Sequence, residues 1–361
     1  MDKICFFSGD ITRNGGTERV SAIIANALAR QGNYQILFLS LVEQAREPFF
    51  SLEDGIERHV LGDRWISPGP GYLRVIPRLR RFLKQNDINV IIDIDIVLDI
   101  LSIPAAKGLP TRIISWEHFN YKYEMTSLYR RYILRYCVKR TDYFVTLTEV
   151  DMRAYMEKLG RREAISFIYN PVPEFTCAED VEKEKWLISV GHLVSVKGID
   201  HLAEVAALVL KRHPDWKWMV VGDGEEREFL EKFIERNQLE DQLILTGSVK
   251  DVSSYLRKSQ IYVMTSRSEG LPMCLLEAKM FRLPSVSFDI YTGPNEIIED
   301  SVNGYLVDAF DCKAMAQKLE RLMENDVLRK QFSEHAQDNL ENFQLKSILN
   351  KWNMVLDKVL H

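Results

Sequence analysis

The chain is poor in closely spaced cysteines. Its five, Cys5, Cys137, Cys177, Cys274 and Cys312, are scattered over 361 residues without a C-x-x-C pair. That spacing excludes a zinc knuckle and a dithiol redox motif, and the odd count fits a reducing compartment. Long apolar runs are missing too. The longest, Val90 to Ile103, is interrupted by Asp93, Asp95 and Asp99, a charge density that a membrane-spanning helix does not tolerate. Met1 to Ser8 enters a short apolar segment with no extended hydrophobic region or cleavage pattern, so no signal peptide is expected. Positive charge is not in excess either. The net charge of −5 argues against nucleic-acid binding by bulk electrostatics. A cytoplasmic protein is expected, soluble or peripheral on the inner membrane face.

What is present is a rhythm of short apolar strands and amphipathic helices. Ile4–Phe7, Tyr34–Leu41, Val90–Ile92, Arg112–Ser115, Tyr143–Leu147 and Ile165–Ile168 read as strands, and Glu18–Arg30 has helical spacing. The rhythm breaks at Asn170–Lys185, where Asn-Pro-Val-Pro leads into an acidic stretch. It then restarts with Trp186–Val190, Trp218–Val221, Leu243–Leu245, Ile261–Met264, Ser285–Phe288 and Tyr305–Val307. Buried strands between helices predict parallel, doubly wound α/β sheets. Two such domains are expected: residues 1–170, a linker at 171–185, and residues 186–344. The tail from Ala314 to His361 reads as helical throughout. Ligands of such sheets bind beyond the carboxyl ends of the strands, and a cleft between two domains is the expected site.

Five motifs fall at strand ends. Gly15-Gly16-Thr17-Glu18-Arg19 follows the first strand and opens a helix, where free N–H groups favour an anion. Two glycines in a surface loop would look the same. Gly191 to Gly198 follows the first strand of the second domain and carries His192 and Lys197, a lysine able to reach a phosphate; an exposed loop lysine is the alternative. Glu269-Gly270-Leu271-Pro272 is followed by Glu277 on a helix that Pro272 can open. Two carboxylates suit a polyhydroxyl ligand, or they are a helix cap and a solvated helix face. Trp116-Glu117-His118 ends a first-domain strand, and a lone His there is either structural or catalytic. Gly222-Asp223-Gly224-Glu225 fails as a dinucleotide fingerprint, since Arg227 stands where the third glycine would be.

Taken in order, GGTERV, SWEH, VGHLVSVKG, VGDGEE, SRSEGLPMCLLEA and TGPNEIIEDSVNGYLV resemble the family 4 retaining glycosyltransferases of bacterial surface-polysaccharide type, over residues 4 to 310. The resemblance implies a GT-B fold of two Rossmann-like domains facing a cleft, with a last helix, about 345–361, crossing back onto the first domain. It implies catalysis with no metal and no cofactor. His118, Lys197 and Glu269 are the implied catalytic residues. Gly15, Gly16, His192, Lys197, Glu269, Gly270, Leu271, Pro272 and Glu277 are the implied donor-binding residues. Within these, Lys197 binds the donor diphosphate, Glu277 holds the ribose and Glu269 faces the sugar. One departure is His192, where the family usually has Arg. An imidazole cannot give the permanent, bidentate contact of a guanidinium, so either protonation of His192 or another cation such as Arg267 must compensate.

Asp93-Ile94-Asp95 could be mistaken for a metal-binding D-x-D and reads instead as strand-end residues. Tyr72–Lys84 and Leu128–Arg140 mix basic with aromatic and apolar residues, a composition suited to anionic lipid headgroups or to two ordinary solvated helix faces. The expected partners are therefore a nucleotide sugar, a glycan or lipid-linked glycan acceptor and an anionic membrane surface, with no nucleic acid. The expected reaction moves a hexose or N-acetylhexosamine from a UDP-sugar to a lipid-linked lipopolysaccharide or capsule glycan. A UDP-sugar epimerase and a non-catalytic GT-B scaffold are the alternatives.

Overall fold

The computed structural model describes residues 1–62, 70–172 and 181–361. The described chain divides into two units, Met1–Pro171 with Asn342–His361, and Val172–Glu341.

Unit 1 holds a seven-stranded parallel sheet: β1 (Lys3–Ser8), β2 (Gln35–Ser40), β3 (Glu57–Val60), β4 (Val90–Ile94), β5 (Arg112–Trp116), β6 (Tyr143–Thr146) and β7 (Ile165–Phe167). Their order is β3-β2-β1-β4-β5-β6-β7. Helices α1 (Gly16–Gln31), α2 (Pro70–Gln85), α3 (Asp99–Ala106), α4 (Tyr121–Glu124), α5 (Leu128–Cys137) and α6 (Glu149–Leu159) fill the connections. All of β4 is buried, Asp93 included, as expected of a strand covered on both faces. The sequence reading missed β3. Its Glu-Arg-His-Val is polar and half exposed because it is an edge strand, and edges carry charge rather than an apolar pattern.

Unit 2 holds a six-stranded parallel sheet: β8 (Trp186–Val190), β9 (Lys217–Val221), β10 (Leu243–Gly247), β11 (Ile261–Met264), β12 (Ser285–Asp289) and β13 (Gly304–Asp308), in the order β10-β9-β8-β11-β12-β13. Its helices are α7 (Ile199–Val209), α8 (Arg227–Asn237), α9 (Ser253–Lys258), α10 (Met273–Met280), α11 (Pro294–Ile297), α12 (Cys312–Glu324) and α13 (Asp326–His335). Its core gathers Trp216, Trp218, Phe288 and Phe332 with the apolar faces of α7 and α12.

Two readings of chain organisation need correction. Of the expected linker 171–185, residues 173–180 lie outside the described residues, but the last part is held by unit 2: Glu184 N–H donates to the Lys258 carbonyl at 2.7 Å and Lys183 Nζ to the Phe281 carbonyl at 3.1 Å. The tail is not one helical run. Asn325 ends α12 and caps α13 through its side chain, which accepts from the Leu328 N–H at 3.0 Å. The last helix, α14 (Leu345–Leu360), begins after a further break and packs on unit 1. Trp352, fully buried, meets Trp116 edge-on at 4.8 Å between ring centroids.

Candidate active site

In unit 2 the strand order reverses about β8, with β9 and β10 laid to one side and β11 to β13 to the other. A recess opens there, between the carboxyl ends of β8 and β11, lined by Gly191, His192, Lys197, Ser266, Glu269 and Cys274 among others. This is the switch point at which doubly wound sheets bind ligands.

Backbone packing shapes the recess. Gly198 has φ +65°, and a Cβ there would collide with the Thr265 carbonyl at the end of β11. The Thr265 hydroxyl in turn donates to the Lys197 carbonyl at 3.1 Å. Gly222 and Gly224 have a role that fingerprint logic could not supply. A Cβ on either would strike the Gly191 or Leu193 carbonyl, and Leu193 N–H donates to the Asp223 carbonyl at 2.9 Å. The failed fingerprint is a cradle for the neighbouring loop.

Lys197 Nζ meets Glu269 Oε1 at 2.7 Å, and their side chains are 27% and 9% exposed. Burial works against the lysine's charge, but the Glu269 carboxylate beside it outweighs this and the pKa is raised. The recess therefore holds a charged ammonium. The Ser266 hydroxyl also donates to Glu269 Oε1, at 2.6 Å. The Glu269-Gly270-Leu271-Pro272 loop is braced from behind: the Thr292 hydroxyl donates to the Glu269 carbonyl at 2.6 Å, and Gly293, at φ +100°, packs on Pro272 and Gly270. The Thr-Gly-Pro piece thus supports this loop, and the α11 that follows is only four residues long. Glu277 is buried on α10, which starts directly after Pro272.

His192 lies exposed at the rim. Arg267, considered as a stand-in for the missing arginine, is already engaged. Its Nη1 donates to Asp200 Oδ1 at 2.8 Å and to the Ser195 carbonyl at 2.9 Å. Sequence reasoning missed Ser266 and Thr292 as supports and Cys274 as lining. Burial pushes the Cys274 thiol up to about 11, so it lines the recess as a neutral group.

In unit 1 the order reverses between β1 and β4, and Gly15 and Gly16 follow β1 there. The helix start they form does not stand open. A Cβ on Gly15 would collide with the Glu18 carboxylate, which folds back over it and takes Arg13 Nε at 3.0 Å. Across the reversal stand buried acids. Asp93 accepts from the Ser102 hydroxyl at 2.7 Å and Asp99 from the Ser115 hydroxyl at 2.7 Å. Burial raises the Asp93 pKa to about 7, and burial together with the neighbouring Asp93 pushes Asp99 well above the usual carboxylate range. Asp93 is enclosed in this way and does not present itself as half of a D-x-D. His118, two residues past β5, is buried against Trp116 at 4.5 Å between ring centroids. Burial lowers its pKa to about 3, so the imidazole is neutral, and its Nε2 has no hydrogen-bond partner among the described residues.

On the outside of this unit, Leu73, Leu128, Tyr129 and Tyr132 are exposed on α2 and α5. Some of the basic residues there are structural. Arg80 is tied to the Ala105 and Lys107 carbonyls, and Arg130 pairs with Glu124. Arg74, Arg81, Lys84 and Arg135 enter no ion pair among the described residues. No helix among the described residues is long and apolar enough to cross a membrane.

Two doubly wound units, each with polar side chains gathered at its reversal point, define an α/β enzyme of GT-B architecture. The chain belongs to the glycosyltransferases: residues 14–174 match glycosyltransferase family 4, and residues 178–339 match the glycosyl transferases group 1. An uncharacterized glycosyltransferase of Haemophilus influenzae is 33% identical over 99% of this chain and 100% of its own. The amylovoran biosynthesis glycosyltransferase AmsD of Erwinia amylovora is 29% identical over 99% and 100%. A Campylobacter jejuni α-1,4-N-acetyl-D-galactosaminyltransferase, named for an acceptor on PP-undecaprenol, is 27% identical over 99% of both chains. Among solved structures, S. aureus TarM in complex with Fondaparinux, α-GlcNAc-glycerol and UDP aligns with a TM-score of 0.69 at 27% identity, over 78% of this chain and 58% of TarM. The pneumococcal O-GlcNAc transferase GtfA, in complex with UDP and GlcNAc, shares the fold with a TM-score of 0.82 at 18% identity, over 100% and 99%.

Proposed function

We propose that the chain is a retaining, metal-independent transferase that moves a hexose or N-acetylhexosamine from a UDP-sugar to a lipid-linked surface glycan. The observation that carries this reading is the Lys197–Glu269 pair at the reversal point of unit 2. Departure of a nucleoside diphosphate requires positive charge aimed at the developing anion. Lys197 supplies it, His192 adds to it from the rim, and Glu269 holds the lysine until the donor arrives and then accepts from the sugar hydroxyls. Glu277 binds the ribose. The neutral His118 suits a sugar hydroxyl better than a phosphate. The UDP named with TarM and GtfA supports the choice of nucleotide, and the undecaprenol acceptor of the Campylobacter relative supports a lipid-linked one.

The test is thermal stabilisation by UDP, GDP, ADP and a panel of UDP-sugars. A ligand at about 100 times its Kd stabilises by about 2.7 kcal/mol. UDP and one UDP-sugar should raise Tm, and Glu277→Ala should lose the shift. Stabilisation by GDP or ADP alone would replace the donor, and no shift with any nucleotide would overturn the site.

The acceptor side rests on the exposed apolar and basic residues of α2 and α5. Each basic side chain near an anionic surface contributes about 1 kcal/mol. The protein should pellet with anionic phospholipid vesicles at low salt and be released at high salt. Equal pelleting with neutral vesicles would remove the electrostatic part of this reading.

A further inference from the structure

A second constellation lies in unit 2, among residues that do not line the recess. His201 and Glu204 sit one turn apart on α7, and Cys312 is the first residue of α12, which packs against α7. The three ligand atoms lie within 4.8 Å of one another. We propose that His201, Glu204 and Cys312 form a binding site for a borderline-soft divalent cation, Zn²⁺ above all, that ties α7 to α12.

The geometry fits that ion. Zn–S near 2.3 Å and Zn–N near 2.0 Å at a tetrahedral angle put sulfur and nitrogen about 3.5 Å apart, and His201 Nδ1 stands 3.6 Å from Cys312 Sγ. The Glu204 carboxylate reaches the same thiol, and its exposure leaves a fourth position for water. The imidazole is held in place: Phe310 stacks on it at 5.2 Å and 13°, and Phe288 meets it edge-on at 5.6 Å. Asp200, the nearest other carboxylate on α7, is taken by Arg267. The donor set of one thiolate, one imidazole and one carboxylate favours zinc or cobalt over magnesium or calcium. The 107 residues between Glu204 and Cys312 put this site beyond any motif of local spacing. Because α7 begins directly after Lys197 and Gly198, the ion would fasten the helix that follows the Lys197 loop, outside the chemistry.

The test uses the full chain, stripped with chelator and titrated with Co²⁺ and then Zn²⁺. One equivalent of Co²⁺ should give a thiolate-to-cobalt charge-transfer band that Zn²⁺ displaces. Cys312→Ser should lose the band, and Glu204→Gln, at an exposed position where folding is not at risk, should weaken binding. Zn²⁺ should raise the Tm of the wild type and not of Cys312→Ser. A wild type without the band, or a band that survives Cys312→Ser and so belongs to another cysteine, overturns the proposal.

Discussion

The two units solve one topological problem with opposite electrostatics. In unit 2 the reversal point carries an ammonium, Lys197, held by Glu269 and Ser266. In unit 1 the same position in the sheet carries acids, Asp93 and Asp99, whose pKa values burial raises, and close by a neutral His118. Bulk charge runs the other way. Residues 1–175 have a net charge of +3 and the remainder −8. Arg74, Arg81, Lys84 and Arg135 of the first half lie exposed on α2 and α5, while Arg13 and Arg130 act on the strand-end Asp95; the acidic second half contains the half-buried Lys197. Net charge therefore reports on surfaces and not on the groups that meet a ligand. In the proposed reaction, one unit would neutralise the departing diphosphate and the other would meet the uncharged hydroxyls of a glycan.

The largest expected effect comes from erasing the difference. Lys197→Ala should lower turnover by roughly 10²-fold or more, the scale of removing one preorganised charge donor, and should weaken UDP binding as well. Arg135→Ala, on the exposed face of α5, should change turnover on a soluble acceptor by no more than about twofold, as surface substitutions do. Steady-state kinetics of the two variants side by side decide the matter. Equal losses would mean that unit 2 has no privileged cation.

A smaller effect tests unit 1. With the Asp93 pKa raised to about 7 by burial, the folded state holds a proton that the unfolded chain releases near pH 3.9. The stability this group contributes is therefore complete below about pH 4 and is lost as pH rises through 7. Asp93→Asn keeps an acceptor for Ser102 and removes the titration. Its Tm should exceed the wild type's by on the order of 3 °C at pH 8, with the gain shrinking as pH falls to 5. A gain of the same size at both pH values would show that Asp93 is not protonated in the fold. His118, lowered to about 3 by burial, works in the opposite direction. The unfolded chain takes up its proton first, so stability falls as pH drops below about 6.5, and the variant must be compared with wild type at each pH.

The strands were legible because fully covered β-strands are unbroken apolar runs; β8 and β11 were read with their observed limits. β3 was not, since an edge strand needs no such run. The breaks in the tail were hidden because Asn325 ends one helix and starts the next without the glycine or proline that usually marks a boundary. At the candidate site, Lys197 and Glu269 were each visible in a motif, but their contact spans 72 residues and depends on the β8–β11 pairing. The glycines at 222 and 224 were visible, yet their reason, the backbone of a neighbouring loop, is tertiary. Glu18 folding back over Gly15 is a side-chain placement that no spacing rule foretells. Residue types were thus readable, while the partners of each residue were not.

The smallest expected effect concerns His192, at the position where the resemblance implies an arginine. His192 stands exposed at the rim of the recess that contains Lys197, and Arg267 is committed to Asp200. An imidazole has charge to offer a diphosphate only while protonated, whereas a guanidinium keeps its charge at every physiological pH. His192→Arg should therefore tighten UDP binding by about tenfold at pH 8, the worth of one charge-assisted hydrogen bond, and by less at pH 6. The ratio of the two proteins' affinities is the quantity to measure by calorimetry, because a terminal phosphate itself titrates near pH 6 and shifts both alike. A ratio that stays constant from pH 6 to pH 8 would mean that His192 contributes no charge to the donor site and that Lys197 neutralises the diphosphate without it.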